Sequence, residues 1–163
     1  MIEKYFHEVL RCFTMTNIRL KGGKEIDLLA VNPRTGEKWH VEARVSTTFK
    51  LRVESTKTKN GRSHKDGLDY FYEEKFNHPT VKEAVKKIFG SGDYKKVIVV
   101  WGVKENKVFA KAKNLGIEIW LIADLIKELK EQIEKGQIKG SRDDILRTIE
   151  LVIKGLQITQ SLF

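Results

Sequence analysis

The stretch GGKEIDLLAVNPRTGEKWHVEARVS, residues 22–46, decides the fold of this chain. It contains two apolar segments, EIDLLAV and KWHVEARV, joined by Asn-Pro-Arg-Thr-Gly, whose proline and glycine supply turn chemistry. The pattern therefore predicts a β-hairpin. Each predicted strand also holds an acid, Asp27 or Glu42, among residues that belong in a core.

The two acids are predicted to converge. Alternate side chains of a strand lie on one face, so Glu42 shares its face with His40 and Arg44. The neighbouring strand of a tight hairpin is about 4.8 Å away, so Asp27 can reach that face. Two converging carboxylates repel each other unless a proton or a cation lies between them. Carboxylates, a backbone carbonyl and water suit Mg²⁺, which polarises a phosphodiester and activates water. The strand pair alone slightly favours the alternative, a hairpin whose acids merely point to solvent.

The remaining pattern predicts one α/β domain over residues 1–163. A helix is predicted at 2–14, a short strand in NIRLKGG, and a helix opened by a capping box of Thr80 and Glu83. The other predicted elements are a possible short helix in GLDYFYEEKF, buried strands in KKVIVVWGV and IEIWLI, and helices at 106–115, at 124–135 and from 141. We expect a mixed sheet flanked by helices, with two extra C-terminal helices over about 124–163.

The charge of the chain favours a polyanionic partner. The net charge is +9, and residues 43–65 hold seven Lys or Arg residues against one acid, Glu54, a net of +6. Neutralised phosphates release counterions, so such a segment suits nucleic acid, although acidic lipid or protein would also attract it. A solvated basic loop is the equal alternative.

Composition also excludes some classes. The single cysteine, Cys12, excludes an internal disulfide framework and a zinc-finger cluster. No stretch approaches the ~18 apolar residues that span a bilayer, and the N-terminal residues do not have the pattern of a signal peptide. We therefore expect no membrane partner and an intracellular, cytoplasmic protein.

The hairpin and its surroundings resemble the PD-(D/E)xK, or restriction endonuclease-like, nuclease superfamily. The resemblance rests on EIDLLAV, a hairpin turn and VEARV, placed after an N-terminal helix and before an αβαβ section, and it covers roughly residues 2–126. The motif is short, so the order of elements supports it as much as the residues do. It implies a central mixed sheet with flanking helices and an active site where the second and third strands diverge.

The resemblance also implies roles for three acids. Asp27 matches the first acid of the family and Glu42 the acid of its D/E-x-K tripeptide, so both would bind Mg²⁺ or Mn²⁺. Many relatives add a glutamate from the first helix, and Glu8 occupies a comparable place, where an exposed helix acid is the equal alternative.

Arg44 departs from the motif, which has lysine at this position. Arginine binds phosphate oxygens well, but with a pKa above about 12 it cannot act as a base. One outcome is that Arg44 serves as an electrostatic substitute at the scissile phosphate. A second is that the lysine has migrated, with Lys50, Lys57 and Lys59 as candidates. A third is that catalysis has been lost.

The implied function is a Mg²⁺-dependent DNA endonuclease, with Asp27, Glu42 and Arg44 as catalytic residues. DNA is chosen over RNA because family relatives act on it more often; double-stranded or branched DNA is expected, with a possible homodimer. The residues expected to contact the DNA backbone are Lys50, Arg52, Lys57, Lys59, Arg62 and Lys65. The alternatives are an inactive DNA-binding or assembly subunit and, less favoured, a basic protein-interaction domain. His40 is expected to be a satisfied strand histidine, with a role as general acid or phosphate contact as the alternative.

Overall fold

The structure is a computed structural model that describes residues 1–56, 65–138, 144–149 and 151. It contains a five-stranded sheet and helices on both of its faces. The strands are β1 (Phe13–Arg19), β2 (Glu25–Val31), β3 (Lys38–Arg44), β4 (Lys95–Val100) and β5 (Ile117–Leu121). The helices are α1 (Ile2–Glu8), α2 (Leu68–Tyr70), which continues as a π-helix (Phe71–Phe76), α3 (Pro79–Phe89), α4 (Lys107–Asn114) and α5 (Ile122–Glu134), with a 3₁₀ turn at Lys21–Gly23.

The sheet is mixed, with its strands in the spatial order β1-β2-β3-β4-β5. β1, β2 and β3 form an antiparallel meander, whereas β4 lies parallel to β3 and β5 parallel to β4. The parallel part needs crossover segments, which the helices supply. The prediction of a mixed α/β fold with flanking helices is confirmed.

Hydrophobic clusters cover both faces of the sheet. Trp39 and Val41 of β3 point towards α1 and α5, whose Phe6 and Leu129 complete that cluster. On the other face, Ile98 of β4 packs with the π-helical segment and α4. A strand that is buried on both faces reads as a continuous apolar run, which explains why the residues from Val97 to Val100 are all buried.

Two predicted boundaries are wrong. The N-terminal helix ends at Glu8 instead of reaching residue 14, because Arg11 adopts a left-handed φ of 55° and residues 13–19 pair with β2. The first strand is thus Phe13–Arg19 and not NIRLKGG. The predicted capping box is absent too, since α3 begins after His78 with no side-chain cap hydrogen bond.

The other predicted elements are present. The hairpin forms around Asn32, and the possible helix in GLDYFYEEKF is observed as α2 and the π-helix. Of the last predicted helix, residues 144–149 are helical and Leu146 is buried in the α1–α5 cluster, while most of its later part lies outside the described residues. Within the described ranges, no helix is long and apolar enough to cross a membrane.

Candidate functional site

Asp27 lies where the second and third strands part. Pairing between β2 and β3 runs from Val31 to Leu28 and stops before Asp27. Pairing between β1 and β2 also skips Asp27, opposite Asn17, whose φ is 53°. Because the β2–β3 backbone pairing has ended here, the N–H of Ala43 hydrogen-bonds to a side chain instead of a backbone carbonyl. It donates to Oδ2 of Asp27 at 2.8 Å.

Glu42 is fully buried on the face of β3 opposite Val41. Its Oε1 lies 2.9 Å from Nε2 of His40, which confirms that His40 and Glu42 share a face. Burial raises the pKa of Glu42 to about 7, against the attraction of a nearby ammonium group. The pKa of Asp27 is also raised, first by burial and then by the charge of Glu42. The convergence that the hairpin pattern predicts is thus present.

His40 orients Glu42 from inside the protein. Burial lowers the pKa of His40 to about 3, so the imidazole is neutral. In the tautomer that carries its proton on Nε2, the ring donates to the Glu42 carboxylate. Its ring packs edge-on against Phe76, with centroids 4.8 Å apart. His40 has no exposed surface, so it is a buried strand histidine and not a phosphate contact. It is not the fully satisfied histidine that we expected, because its Nδ1 has no hydrogen-bond partner among the described residues.

Lys75, which the sequence patterns did not single out, completes the group. Its Nζ lies 2.6 Å from Glu42 Oε2 and 3.9 Å from Asp27 Oδ1, and it donates a 2.9 Å hydrogen bond to the carbonyl of Glu25. Burial works against its charge, but the two carboxylates outweigh this effect and raise the pKa of Lys75. The lysine therefore stays protonated at neutral pH.

The π-helix determines where Lys75 points. Its wide turns place residues five apart on one side, as shown by the bond from Asn77 N to Tyr72 O (3.0 Å) and by the burial of both Phe71 and Phe76. These two rings fix the segment on the sheet, and Lys75, next to Phe76, reaches the carboxylates. π-Helical turns of this kind occur frequently at functional sites.

The donor set suits a hard divalent cation. In the described part of the chain, no group of three or more His, Cys, Asp or Glu side chains is placed to hold a metal ion. Mg²⁺ binds through one or two carboxylates, with water and substrate phosphate completing its ligands. Glu42 Oε2 is a buried donor oxygen that already faces a cation, the Lys75 Nζ at 2.6 Å. Asp27 and Glu42 therefore fit Mg²⁺.

A cleft of about 660 Å³ opens beside Lys75. It lies between the Gly22–Gly23 turn and the π-helical segment, and it includes Lys75 but neither carboxylate. Its walls also carry Lys65, as well as Lys24, which is paired with Glu74. A ligand in the cleft would thus meet Lys75 before it met the fully buried Glu42.

Arg44 does not take the place of the motif lysine. It is exposed at the end of β3, its Nη1 donates to the carbonyl of Lys65 at 2.7 Å, and its guanidinium lies 4.7 Å from the centre of the Phe49 ring. Arg44 holds Lys65 at the mouth of the cleft instead of facing Glu42.

Glu8 is not brought to the pair. It lies at the end of α1, on the face of the sheet opposite Glu42, and forms an ion pair with Arg11 at 3.5 Å. This end of α1 is next to the β2–β3 turn, since Leu10 O accepts a bond from Asn32, whereas Asp27 lies towards the other end of β2. The expected third metal ligand is therefore corrected to a half-buried helix acid that pairs with Arg11.

The basic segment is anchored beside the cleft. Ser55 N and Oγ both donate to Asp69, and Thr56 N and Oγ1 donate to Asp66, so residues on either side of 57–64 are tied together. Of the six expected DNA contacts, Lys65 lines the cleft and Arg52 pairs with Asp66. Lys50 is exposed, and its side chain lies next to Gly102. The other three, Lys57, Lys59 and Arg62, lie outside the described residues.

The chain matches no protein-family model and no curated protein. It is similar to a solved structure, the crystal structure of a protein of unknown function, AF1548, with 17% sequence identity over 91% of this chain and 85% of that chain. The TM-score is 0.49, a level of likeness that carries no argument about function.

Proposed function

We propose that this protein is a Mg²⁺-dependent DNA endonuclease with a restriction endonuclease-like fold, in which Lys75 replaces the lysine missing from the D/E-x-K motif. One observation carries the proposal. At the point where β2 and β3 part, a lysine from a different element lies 2.6 Å from Glu42 and beside Asp27. We therefore propose Lys75 as the migrated lysine; of the earlier candidates, Lys50 is exposed, and Lys57 and Lys59 lie outside the described residues.

The topology agrees with the resemblance drawn from the sequence. An N-terminal helix, an antiparallel meander and a parallel αβ section follow one another in the expected order. Both acids lie on the second and third strands, where those strands diverge. The coincidence of strand order, acids and lysine supports the proposal more than any one of them does.

The proposed roles follow from the contacts. Asp27 and Glu42 would hold the ion, and His40 would keep Glu42 in place through its Nε2–H. A bound Mg²⁺ polarises the phosphodiester and activates a water for attack. Lys75, whose pKa is raised, would act as a charged donor that orients the water or stabilises the phosphorane, and not as a base. Lys65, held by Arg44, would contact the DNA backbone at the mouth of the cleft.

The test is DNA cleavage by matched variants. Supercoiled, linear and branched DNA are incubated with Mg²⁺ or Mn²⁺ and with wild type, Asp27→Ala, Glu42→Ala or Lys75→Met. We expect metal-dependent cleavage that falls by at least about a hundredfold in each variant. The control is Lys95→Met, which removes the same charge from an exposed pair with Glu37 and is expected to cleave like wild type.

The other outcomes separate the alternatives. Salt-sensitive DNA binding without cleavage would refute the enzyme and favour the inactive DNA-binding or assembly subunit. If neither DNA nor metal binds, both of these functions fail. If Lys95→Met and Lys75→Met lose cleavage activity to the same extent, Lys75 has no specific catalytic role.

A further inference from the structure

The surroundings of the Lys75 ammonium are those of a metal ion. Its Nζ is placed against a Glu42 carboxylate oxygen at 2.6 Å, the Glu25 carbonyl at 2.9 Å and an Asp27 carboxylate oxygen at 3.9 Å. Carboxylate and carbonyl oxygens are ligand types that suit Mg²⁺ and Mn²⁺. The side chain is only 17% exposed, so most of it is withdrawn from water while the residue still lines the cleft.

An ammonium group and a divalent ion cannot share this position. Mg²⁺ binds oxygen at about 2.1 Å, so an ion on Glu42 Oε2 would lie within the space that Nζ now fills. The two positive charges would also repel each other in a poorly solvated site. One of them has to move, and the ligands lie on the sheet, whereas the lysine stem is flexible.

The direction of movement follows from the cleft. Lys75 already lines it, and the backbone of the π-helix is held by the buried rings of Phe71 and Phe76. A rotation of the side chain alone would therefore carry Nζ away from the carboxylates and into the cleft. There the ammonium would face a phosphate group.

We propose that Lys75 acts as an exchangeable cation: it occupies the metal position in the metal-free protein, and the arriving ion displaces its Nζ into the cleft. This inference rests on the proposed function and adds a regulatory step to it. Metal binding and the delivery of Lys75 to the substrate become one event. In the metal-free site one ammonium offsets part of the charge of the two carboxylates, and no lysine is directed at a phosphate.

The first experiment is calorimetric titration of Mn²⁺ without DNA into wild type, Lys75→Met and Lys24→Met. Lys24 lines the same cleft but is paired with Glu74, so its variant measures the general effect of removing one positive charge. If Nζ leaves the two carboxylates in at most about a tenth of the molecules, only that fraction can bind Mn²⁺. Removing the ammonium then increases the Mn²⁺ affinity by about tenfold or more. We expect this gain in Lys75→Met relative to Lys24→Met; equal or weaker binding in Lys75→Met would contradict displacement.

The second experiment uses wild type, so it does not depend on the folding of a variant. Lysines are acylated with a limiting amine-reactive ester, and the modification of Lys75 and Lys24 is measured by mass spectrometry with and without Mn²⁺. Displacement predicts that Mn²⁺ raises the labelling of Lys75 severalfold while Lys24 changes little. Unchanged labelling or protection of Lys75 would overturn it.

The two proposals can fail separately. If Mn²⁺ binding depends on Asp27 and Glu42 but neither experiment shows displacement, the exchange is refuted and the nuclease proposal stands. If wild type binds no Mn²⁺, or Asp27→Ala and Glu42→Ala bind it equally well, both are refuted.

Discussion

Replacing Glu42 by glutamine should make the metal-free protein more stable at neutral and alkaline pH. Burial raises the pKa of Glu42 from 4.5 to about 7 despite the contact with Lys75. Because the folded-state pKa of this acid lies above its unfolded value, the fold is favoured while Glu42 is protonated. It loses stability as the pH rises from about 4.5 through 7.

The shift sets the size of the effect. Each pKa unit corresponds to about 1.4 kcal/mol, so an ionised Glu42 lowers the free energy of unfolding by about 3 kcal/mol above pH 7 and by less than about 1 kcal/mol at pH 5. Glutamine has nearly the same shape and carries no charge, so it removes this penalty. We expect Glu42→Gln to exceed wild type by about 2–3 kcal/mol at pH 8 and to differ little from it at pH 5.

The assay is urea denaturation followed by circular dichroism, with EDTA present, at both pH values. Glu37→Gln serves as a control of opposite sign, because the hydrogen bond from Lys95 lowers the pKa of that exposed acid. If Glu42→Gln is less stable than wild type at pH 8, the ion pair with Lys75 outweighs the burial of the charge. The cluster would then be structural, and its assignment to metal binding would be refuted.

Three further outcomes follow from the same contacts. Arg44→Lys should give no gain in cleavage, because Lys75 already supplies the ammonium; a large gain in rate would instead assign the catalytic position to residue 44. Mg²⁺ affinity, measured by calorimetry in two buffers of different ionisation enthalpy, should fall as the pH drops below about 7, because Glu42 must release its proton to bind the ion. Affinity that does not vary with pH between 5 and 8 would exclude Glu42 as a ligand. Lys65→Ala should weaken DNA binding and reduce the slope of log affinity against log salt by about 1, whereas an unchanged slope would show that Lys65 makes no phosphate contact.

The hairpin and its two acids could be predicted because their signals are local. Turn residues, apolar strands and strand alternation are enough to place Asp27 near the face of Glu42. The buried strand β4 could be predicted equally well, since a strand covered on both faces has a continuous run of apolar residues.

The first strand was hidden by its position at the sheet edge. Phe13 is 74% exposed and Met15 50% exposed, so apolar residues stand where a strand normally shows polar ones. Together with the residues of α1 they imitate the spacing of one long helix. Only the pairing with β2, a contact between separate parts of the chain, decides the boundary.

Lys75 could not be predicted for a related reason. Its position depends on a π-helical turn and on the docking of Phe71 and Phe76 against the sheet, and neither has a reliable local signal. A lysine in a helix rich in aromatic residues is normally predicted to be exposed to solvent. Arg44 was misplaced because a strand pattern fixes the face of a side chain but not the direction of a long one at the end of the strand.

The separate origins of the acids and the lysine have a consequence for thermal behaviour. The sheet carries Asp27 and Glu42, whereas Lys75 arrives on a short helical segment that the cluster of Leu68, Phe71 and Phe76 holds in place. Such a segment can open as a local cooperative unit at a lower free energy than the sheet. Heat would then separate Lys75 from the two acids by undocking one helix while most of the backbone remains folded.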